Sequence, residues 1–110
     1  MTLDDLVAYG ADVQEGLERC MGMEDLYLQL VGTVRDEERF EALCRAIEAD
    51  DLDTAFSLAH ALKGVLTNLA ITPLADPMVQ ITELLRARTK TDYTPLLDTI
   101  MAEWKRFCAL

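Results

Sequence analysis

His60 is the only histidine among the 110 residues of this chain, and the types and spacing of its neighbours predict a nucleophile at the protein surface. If the segment forms a helix that turns by about 100° per residue, its apolar side chains gather on one side. These are Ala55, Leu58, Ala59, Leu62, Val65, Leu66 and Leu69. The opposite side carries Asp53, Phe56, Ser57, His60, Lys63, Gly64, Thr67 and Asn68. An imidazole that faces water is mostly neutral near neutral pH, so it can accept a group delivered by another molecule.

Gly64 and Lys63 are two of the three neighbours that favour chemistry over a purely structural role for His60; the third is Phe56. Glycine in the middle of a helix costs roughly 1 kcal/mol relative to alanine, and close helix packing is its usual reason. Gly64 falls on the polar side instead, which predicts an open notch through which a second molecule reaches the imidazole. Lys63 offers a positive charge to an incoming phosphoryl group, although a solvated surface lysine is the simpler interpretation of this residue alone.

The same face holds four further residues that we expect to meet a partner. Phe56 lies one turn before the histidine, where an exposed aromatic ring indicates a contact patch. The small polar residues of this face are Ser57, Thr67 and Asn68. Together with Gly64, these four residues are predicted to provide access and docking.

Other chemistries that use a histidine lack their remaining parts in this sequence. A nucleophile–base pair of Ser57 and His60 has no accompanying loop that could form an oxyanion hole. A zinc site needs three or four ligands, and one histidine with three scattered cysteines does not supply them. No glycine-rich turn forms a phosphate-binding or dinucleotide-binding loop, which argues against a nucleotide site. We therefore expect a histidine that accepts a group covalently from a partner, with no metal on this chain.

The elements that position this face are predicted to be helices, because nearly every long segment has a helical period and none alternates as a strand. Two short helices are predicted first, at residues 3–9 and 13–20. The next two apolar stripes consist of Met23, Leu26, Tyr27, Leu30, Val31 and Val34, and of Phe40, Leu43, Cys44 and Ile47. The stripes are out of phase, which predicts a break near Arg35 and a new helix capped by Asp36.

The His60 helix is expected to begin after Asp51 as its cap and to run to about residue 70. Thr72 is predicted to cap the next helix, with Pro73 at the first helical position. Pro77 is expected to kink that helix or to delay its start.

The last predicted helix covers residues 93–108, after a polar, basic linker at residues 86–92. Short loops make sequential helices pack antiparallel. The sequence therefore predicts an all-α protein: an antiparallel up-down four-helix bundle with its core at about residues 23–108, and short additional helices at the N-terminus. Residues 1–110 are expected to form a single domain.

The net charge of −10, from ten basic and twenty acidic residues, argues against nucleic acids and anionic membranes as partners, since both require clustered lysine and arginine. The three cysteines lack metal or redox spacing and fall in apolar helical settings, which favours free thiols in a reducing compartment. Neither a secretory signal nor a run of roughly 20 apolar residues is recognisable. We expect a cytoplasmic monomer.

The segment from His60 to Gly64, His-Ala-Leu-Lys-Gly, followed by Asn68-Leu69, resembles the signature of histidine-containing phosphotransfer domains of multistep two-component phosphorelays. The likeness extends to the acidic turn at residues 50–52 and to a Gly16-Leu17 segment that leads into residues 26–28. One departure is an alanine at position 70, where the family commonly has glycine after the Asn-Leu pair. That position ends the helix, so the change concerns the local C-cap more than the chemistry.

The resemblance implies a phosphocarrier that takes a phosphoryl group from a receiver-domain aspartyl-phosphate and passes it to another receiver's aspartate. His60 would carry the group, Lys63 would stabilise its oxygens, and Gly64 would clear the way for the receiver. The implied partners are response-regulator receiver domains and a hybrid sensor kinase. The Mg²⁺ that assists transfer would belong to the receiver, so no cofactor and no autonomous kinase activity are expected on this chain.

Two other function classes stay open at this point. A non-catalytic interaction module would bind a receiver or kinase domain through the same face without accepting phosphate. A small helical enzyme with His60 as general base is disfavoured, because only Asp53, two turns away, could act as a second titratable group on that face.

Overall fold

Seven α-helices and one 3₁₀-helix make up the computed structural model, which describes all 110 residues. The α-helices are α1 (Leu3–Tyr9), α2 (Val13–Arg19), α3 (Glu24–Gly32), α4 (Arg39–Glu48), α5 (Leu52–Asn68), α6 (Thr72–Arg86) and α7 (Thr94–Cys108). The 3₁₀-helix, Thr33–Asp36, follows α3 directly. There is no strand, so the predicted all-α class is confirmed.

The four longest helices form the bundle. Helix α4 packs against α5, α5 against α6, and α6 against α7. Helices α4 and α7 close the bundle, since Phe40 of α4 stacks on Trp104 of α7 with ring centroids 4.9 Å apart. Loops at residues 49–51 and 69–71 reverse the chain between neighbours, which makes them antiparallel. A cluster of 26 buried hydrophobic residues draws on all seven α-helices, so the short N-terminal helices share this core.

The predicted break between the two N-terminal stripes is confirmed, but its cap was assigned to the wrong residue. Asp36 ends the 3₁₀-helix, and α4 begins only at Arg39. The Glu37 carboxylate accepts hydrogen bonds from the Arg39 backbone N–H at 3.1 Å and from its guanidinium at 2.7 and 2.8 Å. Glu37 therefore satisfies the first free N–H, because its pairing with Arg39 places the carboxylate over the helix start.

Two details of α6 also differ from the prediction. Thr72 is the first helical residue, and Ile71 occupies the cap position without a side-chain hydrogen bond. Pro77 lies buried inside the helix and does not delay its start. Its ring packs into the core, which offsets the lost backbone hydrogen bond that a mid-helix proline entails.

Helix α3 buries a narrower face than its sequence stripe predicts. Tyr27 and Val31 are buried, whereas Met23 and Leu30 remain 53 % and 38 % exposed. This is because α3 lies at the edge of the bundle and packs mainly against α2 and the 3₁₀-helix that follows it. The exposed Leu30 lies beside Gly64 and Val65 of α5.

Gly16 allows α2 to pack directly on the buried ring of Tyr27. A methyl group built on Gly16 would come within 2.8 Å of the Cε1, Cζ and Oη atoms of that ring. The ring has no room to move, since Tyr27 is fully buried and its hydroxyl donates to the Leu69 carbonyl at 2.9 Å. This contact ties α2 and α3 to the end of α5.

Replacing Gly16 with Ala is expected to lower the free energy of unfolding by about 1–3 kcal/mol, because the added methyl overpacks a rigid contact. Gly32 is the matched control: it is also helical, and nothing lies within 4 Å of a methyl there. Gly32→Ala should raise stability by about 0.5–1 kcal/mol through helix propensity. Urea unfolding measures both variants, and a Gly16→Ala protein as stable as Gly32→Ala would contradict the packing described.

Candidate functional site

Helix α5 carries His60 and has defined ends. At its start the Asp51 carboxylate accepts a hydrogen bond from the Thr54 backbone N–H at 3.2 Å. At its end Leu69 is the C-cap, and Ala70 adopts a left-handed backbone with φ of 55°. The Ile71 N–H then bonds to the Leu66 carbonyl at 3.1 Å, which satisfies one of the last free carbonyls.

The cap at Asp51 predicts how stability responds to acid. Hydrogen bonds from the side chain and then the backbone of Thr54 hold the pKa of Asp51 below its ordinary value. Because this pKa is lower in the folded state, the ionised cap contributes fully to stability above the unfolded pKa of about 3.9. That contribution is lost as pH falls through the folded pKa. Asp51→Asn keeps a capping oxygen but does not titrate. Urea unfolding between pH 7 and pH 3 should therefore show a smaller acid-induced loss in the variant, and equal losses would contradict the prediction.

The His60 side chain is exposed on the outer face of α5, while Ala55, Ala59, Leu62 and Leu66 are buried against the core. No group of the chain hydrogen-bonds the imidazole or forms an ion pair with it. Its ring stacks on the Phe56 ring, at a centroid distance of 5.7 Å and an interplanar angle of 28°. Both ring nitrogens are therefore free to meet another molecule.

Gly64 lies one turn after His60 and leaves an opening in the surface. The glycine is exposed, and nothing lies within 4 Å of a methyl built on it. Its missing side chain is thus not needed for packing within this chain. A shallow groove of about 500 Å³ begins here and is lined by Leu30, Thr33, Gly64, Val65, Asn68 and Leu69.

The other polar residues predicted for this face lie along the same stretch of α5. Lys63 is half-buried and forms no ion pair; its backbone carbonyl accepts a hydrogen bond from the Thr67 hydroxyl at 2.8 Å. The Thr67 carbonyl in turn accepts a hydrogen bond from Arg19 of α2. Ser57 and Asn68 are exposed. Lys63 is therefore a cation on α5 without a carboxylate partner.

Phe56 does not form the exposed patch predicted from the sequence. The ring is half-buried, because two arginines from the end of α6 lie over it. The guanidinium carbons of Arg86 and Arg88 are 5.0 and 5.2 Å from its centroid, and the His60 imidazole stacks against it. The Phe56 ring thus contacts the guanidinium groups of Arg86 and Arg88 as well as the imidazole of His60.

Arg86 and Arg88 are the site residues that sequence reasoning missed, since it placed both in a linker. The signal that could have found them is the antiparallel packing of α5 and α6, which brings the end of α6 beside the first turns of α5. Arg88 has a left-handed backbone with φ of 50°. This turn directs its side chain back to Asp53, whose Oδ1 it meets through Nε at 2.9 Å and through the other guanidinium arm at 2.8 Å.

No group of three or more His, Cys, Asp or Glu side chains is arranged to hold a metal ion. No helix has the length and the apolar composition needed to cross a membrane.

Comparison with known protein families gave one match. The family model described as "Hpt domain" matches residues 29–109, which include all four bundle helices and His60. The Gly16-Leu17 segment and residues 26–28, part of the likeness noted from the sequence, precede the matched range. Neither a search of curated proteins nor a search of solved structures found a significant match.

Proposed function

The chain belongs to the Hpt domain family, and on this premise we propose that it is a phosphocarrier of a two-component phosphorelay that carries the phosphoryl group on His60. The observation that carries the proposal is the combination of an exposed imidazole without any hydrogen-bond partner and an open surface at Gly64, one turn away. A reactive nitrogen in this position is accessible to the active site of another protein.

The transfer requires no catalytic base on this chain. The lone pair of a neutral imidazole nitrogen attacks the phosphorus of a receiver's aspartyl-phosphate, so an N–P bond forms as the acyl O–P bond breaks. The aspartate leaves as a carboxylate and takes no proton. In the second step another receiver's aspartate attacks the phosphohistidine, and the imidazole leaves. Catalysis is therefore mainly positioning and charge stabilisation.

Lys63 supports this chemistry as a cation without a carboxylate partner on the same helix face. An unpaired ammonium group can turn towards the oxygens of a phosphoryl group that develops on His60. The Mg²⁺ that assists such transfers is proposed to be held by the receiver domain, and no kinase activity is proposed for this chain.

The groove beside Gly64 is proposed to receive an apolar element of the receiver. Leu30 of α3 supplies an exposed apolar side chain, Val65 of α5 supplies a partly covered one, the buried Leu69 lies at the base, and Asn68 offers an amide at the rim. Apolar contact at the centre with polar groups at the edge is the usual composition of a transient interface. Cognate receivers, a hybrid sensor kinase as the source of phosphate, a monomeric state and a cytoplasmic location are parts of the same proposal.

A phosphotransfer assay with a panel of purified receiver domains, each phosphorylated by radiolabelled acetyl phosphate, tests the proposal. Label should move from at least one receiver to this chain within minutes, and it should be acid-labile and base-stable, as expected for a phosphohistidine. Adding a second, unlabelled receiver should then discharge it. Label that is base-labile, or no uptake from any receiver that binds the chain, would refute the proposal.

A further inference from the structure

The surface next to the histidine contains two arginines that share one aromatic ring but differ in how they are held. Every arm of Arg88 is engaged within the chain: two nitrogens meet Asp53, and the third donates to the Leu85 carbonyl. Its left-handed backbone, with φ of 50°, lies just after α6, where the Arg88 and Thr89 N–H groups bond to the Leu85 and Leu84 carbonyls, each at 3.0 Å. Arg88 is therefore held in place by bonds within the chain and connects the end of α6 to Asp53 of α5.

Arg86 is held only weakly by the chain. Its side chain is 50 % exposed, and its single ion pair, with Glu83, is long at 3.5 Å and lies in solvent. A pair of this kind contributes little and is easily exchanged. The Phe56 ring, 5.0 Å from the Arg86 guanidinium carbon, gives it a flat support while its N–H donors stay free.

We propose that Arg86 is a specificity-determining residue of the docking surface, which selects receiver domains that have a carboxylate opposite it. This inference rests on the proposed function and extends it, because it names a residue outside the histidine helix and the chemistry that this residue recognises. Arg88 and Phe56 act as positioning residues: they fix the place at which the Arg86 guanidinium is presented.

The distances place Arg86 within reach of an interface centred on His60. Its guanidinium carbon lies 5.0 Å from the Phe56 centroid, and that centroid lies 5.7 Å from the imidazole centre. A standard interface buries about 800 Å² on each partner and, when centred on His60, extends beyond the cluster. A receiver docked in this way covers Arg86, and a covered guanidinium without a partner is costly.

The charge of the expected partner fits this requirement. A protein that delivers a phosphoryl group from an aspartate, with the help of Mg²⁺, needs carboxylates to hold the metal as well as the reacting aspartate. This chain has a net charge of −10, which repels carboxylates at long range. A free guanidinium next to the reactive group therefore has a large influence on association.

The test compares Arg86→Gln with Arg106→Gln. Arg106 resembles Arg86 in several ways: it is 61 % exposed, pairs with a glutamate three residues before it, and lies 5.3 Å from the centroid of an aromatic ring, that of Tyr9. It differs in belonging to α7 and in the length of its ion pair, because Glu103 accepts from it at 2.8 and 2.9 Å. Both variants remove one charge. The probe is the receiver domain that binds wild-type protein most tightly in a panel, phosphorylated with acetyl phosphate; the small donor phosphoramidate is used in parallel.

Arg86→Gln is expected to lower the rate constant for transfer from the receiver by about tenfold at low ionic strength, with a smaller effect in high salt. Arg106→Gln should stay close to wild type, and Arg86→Lys should recover part of the rate. Phosphoramidate has no protein surface, so its rate with Arg86→Gln should change by less than about twofold. The affinity of the unphosphorylated receiver should fall in parallel with the transfer rate.

Three results overturn the inference. They are equal transfer rates for Arg86→Gln and wild type, equal losses in Arg86→Gln and Arg106→Gln, and a loss that is as large with phosphoramidate as with the receiver. The last result would mean that Arg86 affects the reactivity of His60 and not the docking of a receiver. If wild-type protein accepts phosphate from neither donor, the proposed function fails instead, and the affinities of the receiver for wild type and Arg86→Gln still decide whether Arg86 contacts the partner.

Discussion

Replacing His60 with Gln should abolish uptake of a phosphoryl group from a phosphorylated receiver, with a loss of at least about a thousandfold in rate. Glutamine is similar in size and polarity, but its amide has no nucleophilic nitrogen lone pair. The chain has no second imidazole that could take over. Because His60 is exposed and makes no hydrogen bond, the free energy of unfolding should change by less than about 0.5 kcal/mol.

The same variant separates a carrier from a docking module. Receiver affinity of His60→Gln should stay close to that of wild type, since the groove and Arg86 are untouched, while the label disappears. Circular dichroism and urea unfolding verify the fold. A variant that still takes up acid-labile label would remove His60 from its proposed role. Tight receiver binding by a wild-type protein that never accepts label would favour the interaction module.

Replacing Gly64 with Gln should block transfer without damaging the fold. The opening at Gly64 is not filled by any group of this chain, so a long side chain has room in the free protein and obstructs only an approaching partner. Displacing the reacting groups by as little as 1 Å costs about a hundredfold in rate, and we expect a loss of at least that size with a receiver. Stability should rise by about 0.5–1 kcal/mol, because Gln favours the helix over Gly.

Two comparisons isolate access as the cause. Gly64→Ala adds only a methyl group and should give a much smaller loss than Gly64→Gln. Phosphoramidate should still phosphorylate Gly64→Gln at nearly the wild-type rate, because a small donor passes where a protein does not. Transfer from the receiver at the wild-type rate in Gly64→Gln would show that the opening has no role in access. Loss of stability in urea would show that Gly64 serves packing instead.

The sequence predicted the histidine surface well because the information is local. The turn of a helix alone decides that residues such as Leu62 and Leu66 face inward while His60 and Gly64 face outward, and the structure shows this division. Two helix ends were also well placed: Gly10 and Ala70, near which the sequence predicted that helices end, both have a positive φ.

The position of two arginines over the Phe56 ring could not be predicted in the same way, because it depends on packing between separate helices. Arg86 and Arg88 reach the ring from α6 only after α5 and α6 have paired. The turn at Arg88 has a positive φ on a residue that rarely adopts it. The start of α4 was missed for a local reason: Asp36 is taken up by the 3₁₀-helix, and Glu37 bonds to the Arg39 N–H instead.

Ala70 shows how a departure from the family pattern is accommodated. Its φ of 55° is a conformation in which glycine is favoured and alanine is strained. The Ala70 carbonyl accepts a hydrogen bond from the Asp12 N–H at 2.9 Å, and Tyr27 binds the adjacent Leu69 carbonyl. The N-terminal segment thus holds the end of α5 in place through hydrogen bonds from Asp12 and Tyr27.

The most direct test of the central claim uses protein labelled with ¹⁵N in its single histidine, so that one imidazole gives the whole signal. A receiver domain loaded with acetyl phosphate is added, and the spectrum is recorded before and after transfer. If His60 carries the phosphoryl group, one ring nitrogen shifts and gains a coupling to ³¹P. An imidazole spectrum that stays unchanged, while the receiver passes its phosphoryl group to another residue of the chain, would contradict this role of His60.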